Sequence, residues 1–288
     1  NTAIALAVLI VVFFSNLQFQ TITNSIVEGY KVYNTNVKEF ARLTSERKSN
    51  SSIDAHVNYK GSTFVIVIGE SQNRDHLSSY GYFRETTPFF DQQLSKLNWL
   101  FFDRAYSSYV HTTPSLMHAL TSSNQYNGQD YYKATSLVEV FNAAGFNTYW
   151  IDEQARAVGD NPLNIIGSAS KYFKVVPPNN GELVNQYKKV LNGLDTQENN
   201  LIVLHLMGSH FDYKTRVPKD YSVKFNDTVE ELGDYAKDQE FINNILDPYD
   251  TSIHYTDNIL NQLSKAAKKA SVIPDLFVYF SDHGERCV

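Results

Sequence analysis

Three short runs constrain this chain of 288 residues most: Thr63–Ile68, Leu201–Met207 and Leu276–Phe280. Apart from Thr63 and His205, every position in them is apolar or aromatic. Strict alternation would mark strands with one wet face, whereas continuous runs mark strands covered on both faces. Such strands belong to a sheet flanked by helices, which is an α/β fold. The residues just past each run are as informative as the run itself. Gly69 and Glu70 come after the first, Gly208, Ser209 and His210 after the second, and Asp282, His283 and Gly284 just after the third. Open α/β sheets bind their ligands at the carboxyl ends of the strands. A carboxylate and an imidazole there form the mixed O and N donor set that zinc accepts. Asp and Gly are also ordinary turn residues, so a plain surface turn accounts for any one of these ends. Three strand ends carrying ligand-type residues point instead to one shared site.

A fourth segment reads His111-Thr-Thr-Pro-Ser-Leu-Met-His-Ala-Leu120. Pro114 suits the first turn of a helix, where its missing N–H costs nothing. Leu116, Met117 and Leu120 give the helix an apolar face. Thr112 then stands at or just before the helix start. Its hydroxyl has two readings. It is a plain N-cap, or it is a nucleophile that faces the positive helix end and, beside a dication, attacks phosphorus.

From Gly61 onward the pattern alternates between strand and helix. Strands are expected over 63–68, 99–105, 146–151, 201–207 and 276–281, and helices over 88–97, 113–122, 135–144, 183–193 and 249–268. Residues 209–247 form a long polar and aromatic excursion beside the expected site, a suitable place to recognise an acceptor. An apolar fraction of 42% supports a sizeable core and is too low for a polytopic membrane protein. The net charge of −6 argues against nucleic acid as a partner. Part of that charge is local, since Asp227–Glu240 holds six acidic residues against one Lys. Such a run reads as a solvated face.

Ahead of this domain, Ala3–Phe14 carries no charge. A bilayer-spanning helix needs ~20 apolar residues, so residues 1–19 read as the outer part of a membrane helix, with a buried soluble helix as the alternative. Ile22, Ile26, Tyr30, Tyr33, Val37, Phe40 and Leu43 recur at helical spacing among basic residues. Residues 20–60 are therefore expected to hold an amphipathic juxtamembrane helix and a polar linker. That helix lies on the membrane surface or packs on the soluble domain.

Taken in order, the motifs resemble the phosphoethanolamine transferases of bacterial envelopes, within the alkaline phosphatase and sulfatase superfamily. The resemblance rests on Val67-Ile-Gly-Glu-Ser71 with Arg74, Tyr80-Gly-Tyr-Phe-Arg-Glu-Thr-Thr-Pro88 and His111-Thr-Thr-Pro-Ser115. His205-Leu-Met-Gly-Ser-His210, Tyr249-Asp-Thr-Ser-Ile-His-Tyr-Thr-Asp257 and Phe280-Ser-Asp-His-Gly-Glu285 complete it. It implies an α/β/α sandwich over residues 61–288. It implies a zinc ion held by Glu70, Asp282 and His283, and Thr112 as the nucleophile that also contacts zinc, with Thr113 its near competitor. His210 corresponds to a histidine near the transferred phosphate or a second zinc. For His205, inside a strand, a core role is at least as good a reading.

The implied reaction moves phosphoethanolamine from phosphatidylethanolamine to a lipopolysaccharide or other envelope glycan through a phospho-threonine. The implied place is the bacterial inner membrane, with the soluble domain in the periplasm. A phosphoglycerol transferase, a phosphodiesterase or an inactive envelope protein is the alternative. Sulfatases of the superfamily build a formylglycine from Cys or Ser in a C/S-x-P-S-R pattern. Here Thr112-Thr-Pro-Ser-Leu116 stands in that place, which argues against sulfate ester hydrolysis. The lipid A modifying members carry several disulfides, whereas the single cysteine, Cys287, can form no internal bridge. The resemblance further implies a later histidine and further sheet elements beyond Val288, so the chain reads as a fragment.

Overall fold

The computed structural model describes residues 38–39, 42–43, 45, 53–96, 99–154, 163–178 and 181–285. Its centre is a parallel sheet of five strands. These are β1 (Thr63–Gly69), β2 (Asn147–Asp152), β3 (Tyr172–Val175), β4 (Asn200–His205) and β5 (Leu276–Ser281), in the order β3-β2-β4-β1-β5. The two innermost apolar runs, β1 and β4, pair with each other in the middle. This is where continuous hydrophobicity belongs, because both faces are covered.

The principal helices of the described residues are α1 (Pro88–Ser95), α2 (Thr112–Ala119), α3 (Leu137–Ala143), α4 (Leu163–Ser168), α5 (Glu182–Asn192) and α6 (Asp247–Lys269). They divide between the two faces of the sheet. On one face, Phe89 and Phe90 of α1, Leu183 and Tyr187 of α5 and Leu260 and Leu263 of α6 pack on Val65, Val67 and Ile202. On the other, Leu116 and Met117 of α2, Val138 of α3 and Ile166 of α4 pack on Ile68, Leu201 and Val203. The result is the expected α/β/α sandwich.

Local chemistry sets several boundaries. α3 begins at Leu137 because Ser136 and Glu139 form a reciprocal capping box, which contributes about 1 kcal/mol. α1 is capped from outside its own segment: the Phe89 and Phe90 N–H groups donate to the buried Asp257 carboxylate of α6 at 2.7 and 3.2 Å.

The strand expected over 99–105 does not form. Trp99 and Phe101 pack inward on Phe89 and Phe90, while Leu100 and Phe102 are exposed. The alternation is real, but among the described residues no backbone partner pairs with the segment, so its side chains cover the flank of β5 without extending the sheet. Conversely, α4 and the four-residue β3 are additional elements that the sequence pattern leaves unassigned.

The membrane stub expected over residues 1–19 lies outside the described residues. Among those described, no helix is long and apolar enough to cross a membrane. Of the expected amphipathic helix, residues 38–39, 42–43 and 45 are described and helical. There Leu43 is buried against Ile165 of α4, so this end of the segment packs on the domain.

Candidate metal centre and nucleophile

Parallel register builds the site. In β1 and β5, Gly69 pairs with Ser281. The next residue of each strand, Glu70 and Asp282, therefore leaves the sheet side by side, and the Asp282 N–H still donates to Gly69 O at 3.1 Å. His283 comes directly after. Glu70, Asp282 and His283 each offer a ligand atom, and these atoms all lie within 4.8 Å of one another.

All three side chains are buried. His283 Nε2 lies 3.3 Å from Glu70 Oε1 and 3.4 Å from Asp282 Oδ2. Its other nitrogen, Nδ1, bonds to the carbonyl of Gly284 at 2.9 Å. Donation from Nδ1 to a carbonyl orients an imidazole so that its Nε2 lone pair serves as a metal ligand. Asp282 Oδ1 accepts from the backbone N–H of Ser71 and of His283, at 2.9 and 2.8 Å. Asp282 Oδ2, by contrast, is buried with no hydrogen-bond partner. A buried carboxylate oxygen left open beside an oriented imidazole and a second carboxylate fits a bound dication, and two oxygens plus one nitrogen suit zinc.

The electrostatics agree with that fit. Burial raises Asp282 to about 6, and the neighbouring Glu70 charge adds to it. Burial also opposes the charge of Glu70, but hydrogen bonds from His283, Ser71 and Gln154 outweigh it and hold Glu70 at about 2. For His283, burial disfavours the cation, yet Glu70 and Asp282 raise it to about 9. The carboxylate pair thus favours positive charge in the site.

Thr112 is the first residue of α2, whose N-cap is His111. Its hydroxyl donates to Glu70 Oε2 at 3.0 Å and lies 3.5 Å from His283 Nε2. The helix start and the carboxylate cluster are locked together by Ser115, whose hydroxyl donates to the carbonyl of Asp282 at 2.5 Å. Thr112 is thus pointed into the cluster rather than at its own helix as a simple cap. The Gln154 amide donates to the same Glu70 Oε2 at 2.7 Å and to Leu206 O at 2.9 Å.

His210 is placed differently. It is exposed, its Nδ1 lies 2.5 Å from the carbonyl of Phe211, and among the described residues it makes no hydrogen bond to the cluster. His205 is fully buried in β4, with Nδ1 3.1 Å from Asp152 Oδ2 and Nε2 without a partner. It belongs to the polar layer behind the site and not to the metal group. Sequence reasoning gives Gln154 and Ser115 no role. The strand-end rule that flags Glu70 would also have flagged Gln154, two residues past β2.

The Sulfatase family model matches residues 62–287. The chain belongs to the sulfatase family. Over 276 residues this family member is 31% identical to phosphoethanolamine transferase EptC of Escherichia coli K12, a match covering 89% of this chain and 46% of that protein. It is 29% identical over 273 residues to phosphoethanolamine transferase CptA of Salmonella typhimurium, covering 90% and 46%. The chain spans about half the length of the curated relatives it matches. Among solved structures it resembles the C-terminal periplasmic domain of the Escherichia coli EptC in complex with zinc. That match has a TM-score of 0.69 and 27% identity, over 82% of this chain and 69% of that one. A zinc-compatible cluster of two carboxylates and a histidine here thus has a zinc-bound structural relative.

Proposed function

We propose that this domain transfers phosphoethanolamine from phosphatidylethanolamine to an envelope glycolipid or glycan, through a phospho-threonine at Thr112. One observation carries the reading: a helix-terminal hydroxyl 3.0 Å from Glu70 inside a buried carboxylate and histidine cluster. The names of the matched relatives support the group transferred. Threonine at the position where sulfatases build formylglycine supports a phosphoryl over a sulfuryl substrate.

In this reading Glu70, Asp282 and His283 hold one zinc. Bound zinc supplies a Lewis acid that lowers the hydroxyl pKa and offsets charge on the phosphate oxygens. Glu70 Oε2 orients the Thr112 hydroxyl, and Thr112 Oγ1 attacks phosphorus as its proton passes to solvent. The P–O bond to the glycerol breaks, diacylglycerol leaves with a proton, and phosphoethanolamine stays on Thr112. A sugar hydroxyl or phosphate of the acceptor then attacks the same phosphorus, and Thr112 leaves as the hydroxyl. Positioning and charge neutralisation supply most of the rate in such transfers. His210, exposed on the loop after β4, is the substrate-side candidate. Residues 61–288 act as the catalytic domain in the periplasm, held at the inner membrane by residues 1–19 and the juxtamembrane segment 20–60.

The test incubates the zinc-loaded protein with phosphatidylethanolamine or phosphatidylglycerol, each labelled in its headgroup, and maps the adduct by mass spectrometry. Label on Thr112 from phosphatidylethanolamine alone is expected. Label from phosphatidylglycerol alone would overturn the donor, and label on Thr113 would move the nucleophile by one residue. A zinc-loaded protein that takes no label from either lipid would sink the transferase reading.

A further inference from the structure

Ser71 comes directly after Glu70 and is 2% exposed. It has a φ of 58°, and among the described residues it is the only non-glycine with positive φ. A serine in the left-handed region is uncommon and carries strain that the surroundings must hold in place. In this conformation its N–H and its hydroxyl reach two different carboxylates. The N–H donates to Asp282 Oδ1 at 2.9 Å and the hydroxyl to Glu70 Oε1 at 2.7 Å.

The residue is also held from behind. Its carbonyl accepts from the Tyr249 hydroxyl at 2.7 Å, and the same hydroxyl accepts from the Asn73 N–H at 2.9 Å. Tyr249 is fully buried near the start of α6. One residue further on, the Gln72 N–H donates to Ser281 Oγ at 2.8 Å. The turn leaving β1 is therefore stitched both to the end of β5 and to α6.

We infer that Ser71 is a positioning residue that fixes the two metal-group carboxylates relative to each other. Its two bonds occupy Glu70 Oε1 and Asp282 Oδ1. Asp282 Oδ2 is left open, and Glu70 Oε2 is turned towards Thr112. Two like-charged carboxylates this close repel each other, and donors on one rigid residue hold them together before a metal arrives. The inference rests on the reading of Glu70 and Asp282 as zinc ligands.

Two substitutions separate this role from simple structural support. Ser71→Gly removes the hydroxyl and relieves the positive φ. Ser71→Thr keeps the hydroxyl but places a β-branched residue in the left-handed region, where it is a genuine outlier. Zinc affinity is measured by chelator competition and apo stability by thermal melting, with the whole chain and with Glu70→Gln as the control. Loss of a partner that orients a metal ligand lowers affinity by roughly 10–100-fold. Ser71→Gly should therefore bind zinc roughly 10–100-fold more weakly while its apo form melts at or above the wild-type temperature. Ser71→Thr should show the reverse, a lower apo melting temperature with tighter zinc binding than Ser71→Gly. Wild-type zinc affinity in Ser71→Gly would overturn the inference, and so would zinc affinity that only tracks apo stability across both variants. If wild type and Glu70→Gln bind zinc equally, the ligand assignment itself fails, a result distinct from either of these.

Discussion

Arg84 offers the sharpest test of how the fold holds the site in place. Its guanidinium is almost fully buried, with side-chain exposure of 1%. It donates to Asp250 Oδ2 at 2.7 Å, to both oxygens of Asp227, and to Asp247 Oδ1 at 2.9 Å. It also lies 4.6 Å from the Phe225 ring centroid. Thus one cation ties the segment leading into α1 to the excursion at 227 and to the start of α6. Asp250 is fully buried, and it also accepts from Tyr82 and contacts His76 Nδ1.

Arg84→Met keeps the apolar stem and removes the charge. The Asp250 and Asp227 carboxylates, 0% and 11% exposed, then lose their buried cation. Breaking a buried ion pair from one side costs about 3–5 kcal/mol. The Asp247 contact, with a carboxylate 40% exposed, adds only about 0–1 kcal/mol because water screens it. At about 2–4 °C per kcal/mol for a domain of this size, the melting temperature should fall by roughly 6–24 °C. Tryptic cleavage at Lys219 and Lys224 should accelerate as the excursion loosens. Adding Asp250→Asn removes the stranded charge and should recover at least about 1 kcal/mol, a coupling expected of groups in direct contact. A melting temperature within about 2 °C of wild type, or a double variant that loses stability additively, would refute the argument.

Other outcomes rest on the same geometry. On the proposed role of Thr112 as nucleophile, Thr112→Ala should leave zinc affinity within a few-fold of wild type and reduce label transfer by at least roughly 10³-fold; Thr112→Ser should retain measurable transfer. Gly208 has a φ of 48°, and a Cβ there would come within 2.8 Å of the Glu70 backbone nitrogen. Gly208→Ala should therefore destabilise the fold by about 1–3 kcal/mol and also weaken zinc binding, read by urea denaturation and chelator competition.

Legibility in the sequence depends on where each signal sits. β1, β4 and β5 show as apolar runs, and Glu70, Asp282 and His283 show because they stand just past strand ends. α2 is legible from Pro114, although it starts one residue earlier than expected, at Thr112. The Arg84 cluster is not legible. Arg84 stands in one of the sequence motifs, but its partners at 227, 247 and 250 leave no local signature. Ser71 is hidden for the opposite reason. A glycine there would have signalled a left-handed turn, whereas a serine gives no warning that its backbone is turned to face two carboxylates. The false strand at 99–105 shows the limit of alternation, which reports which side chains face inward and says nothing of whether the backbone finds a partner.

His205 and His283 show why register, more than residue type, decides which histidine joins the Glu70 and Asp282 cluster. Both stand at the carboxyl end of a parallel strand that pairs with β1. His205 is the last residue of β4 and pairs with Ile68, two residues before Glu70, and with Asp152 of β2 on its other side. It is thus still inside the sheet, where Asp152 takes its Nδ1. That contact keeps the imidazole pKa above its ordinary value although burial opposes the charge. His283 lies two residues past the last residue of β5, beyond the final pairing of Gly69 with Ser281. At that distance the chain has left the ladder, and the backbone can turn so that Gly284 O takes Nδ1 and Nε2 faces Glu70. Moving the β4 register by one residue would also reverse which face each of its side chains meets. The His205 ring would then leave Asp152, and the buried pair behind the site would be broken. The strand pairings that bury the core therefore also select the donor set of the site.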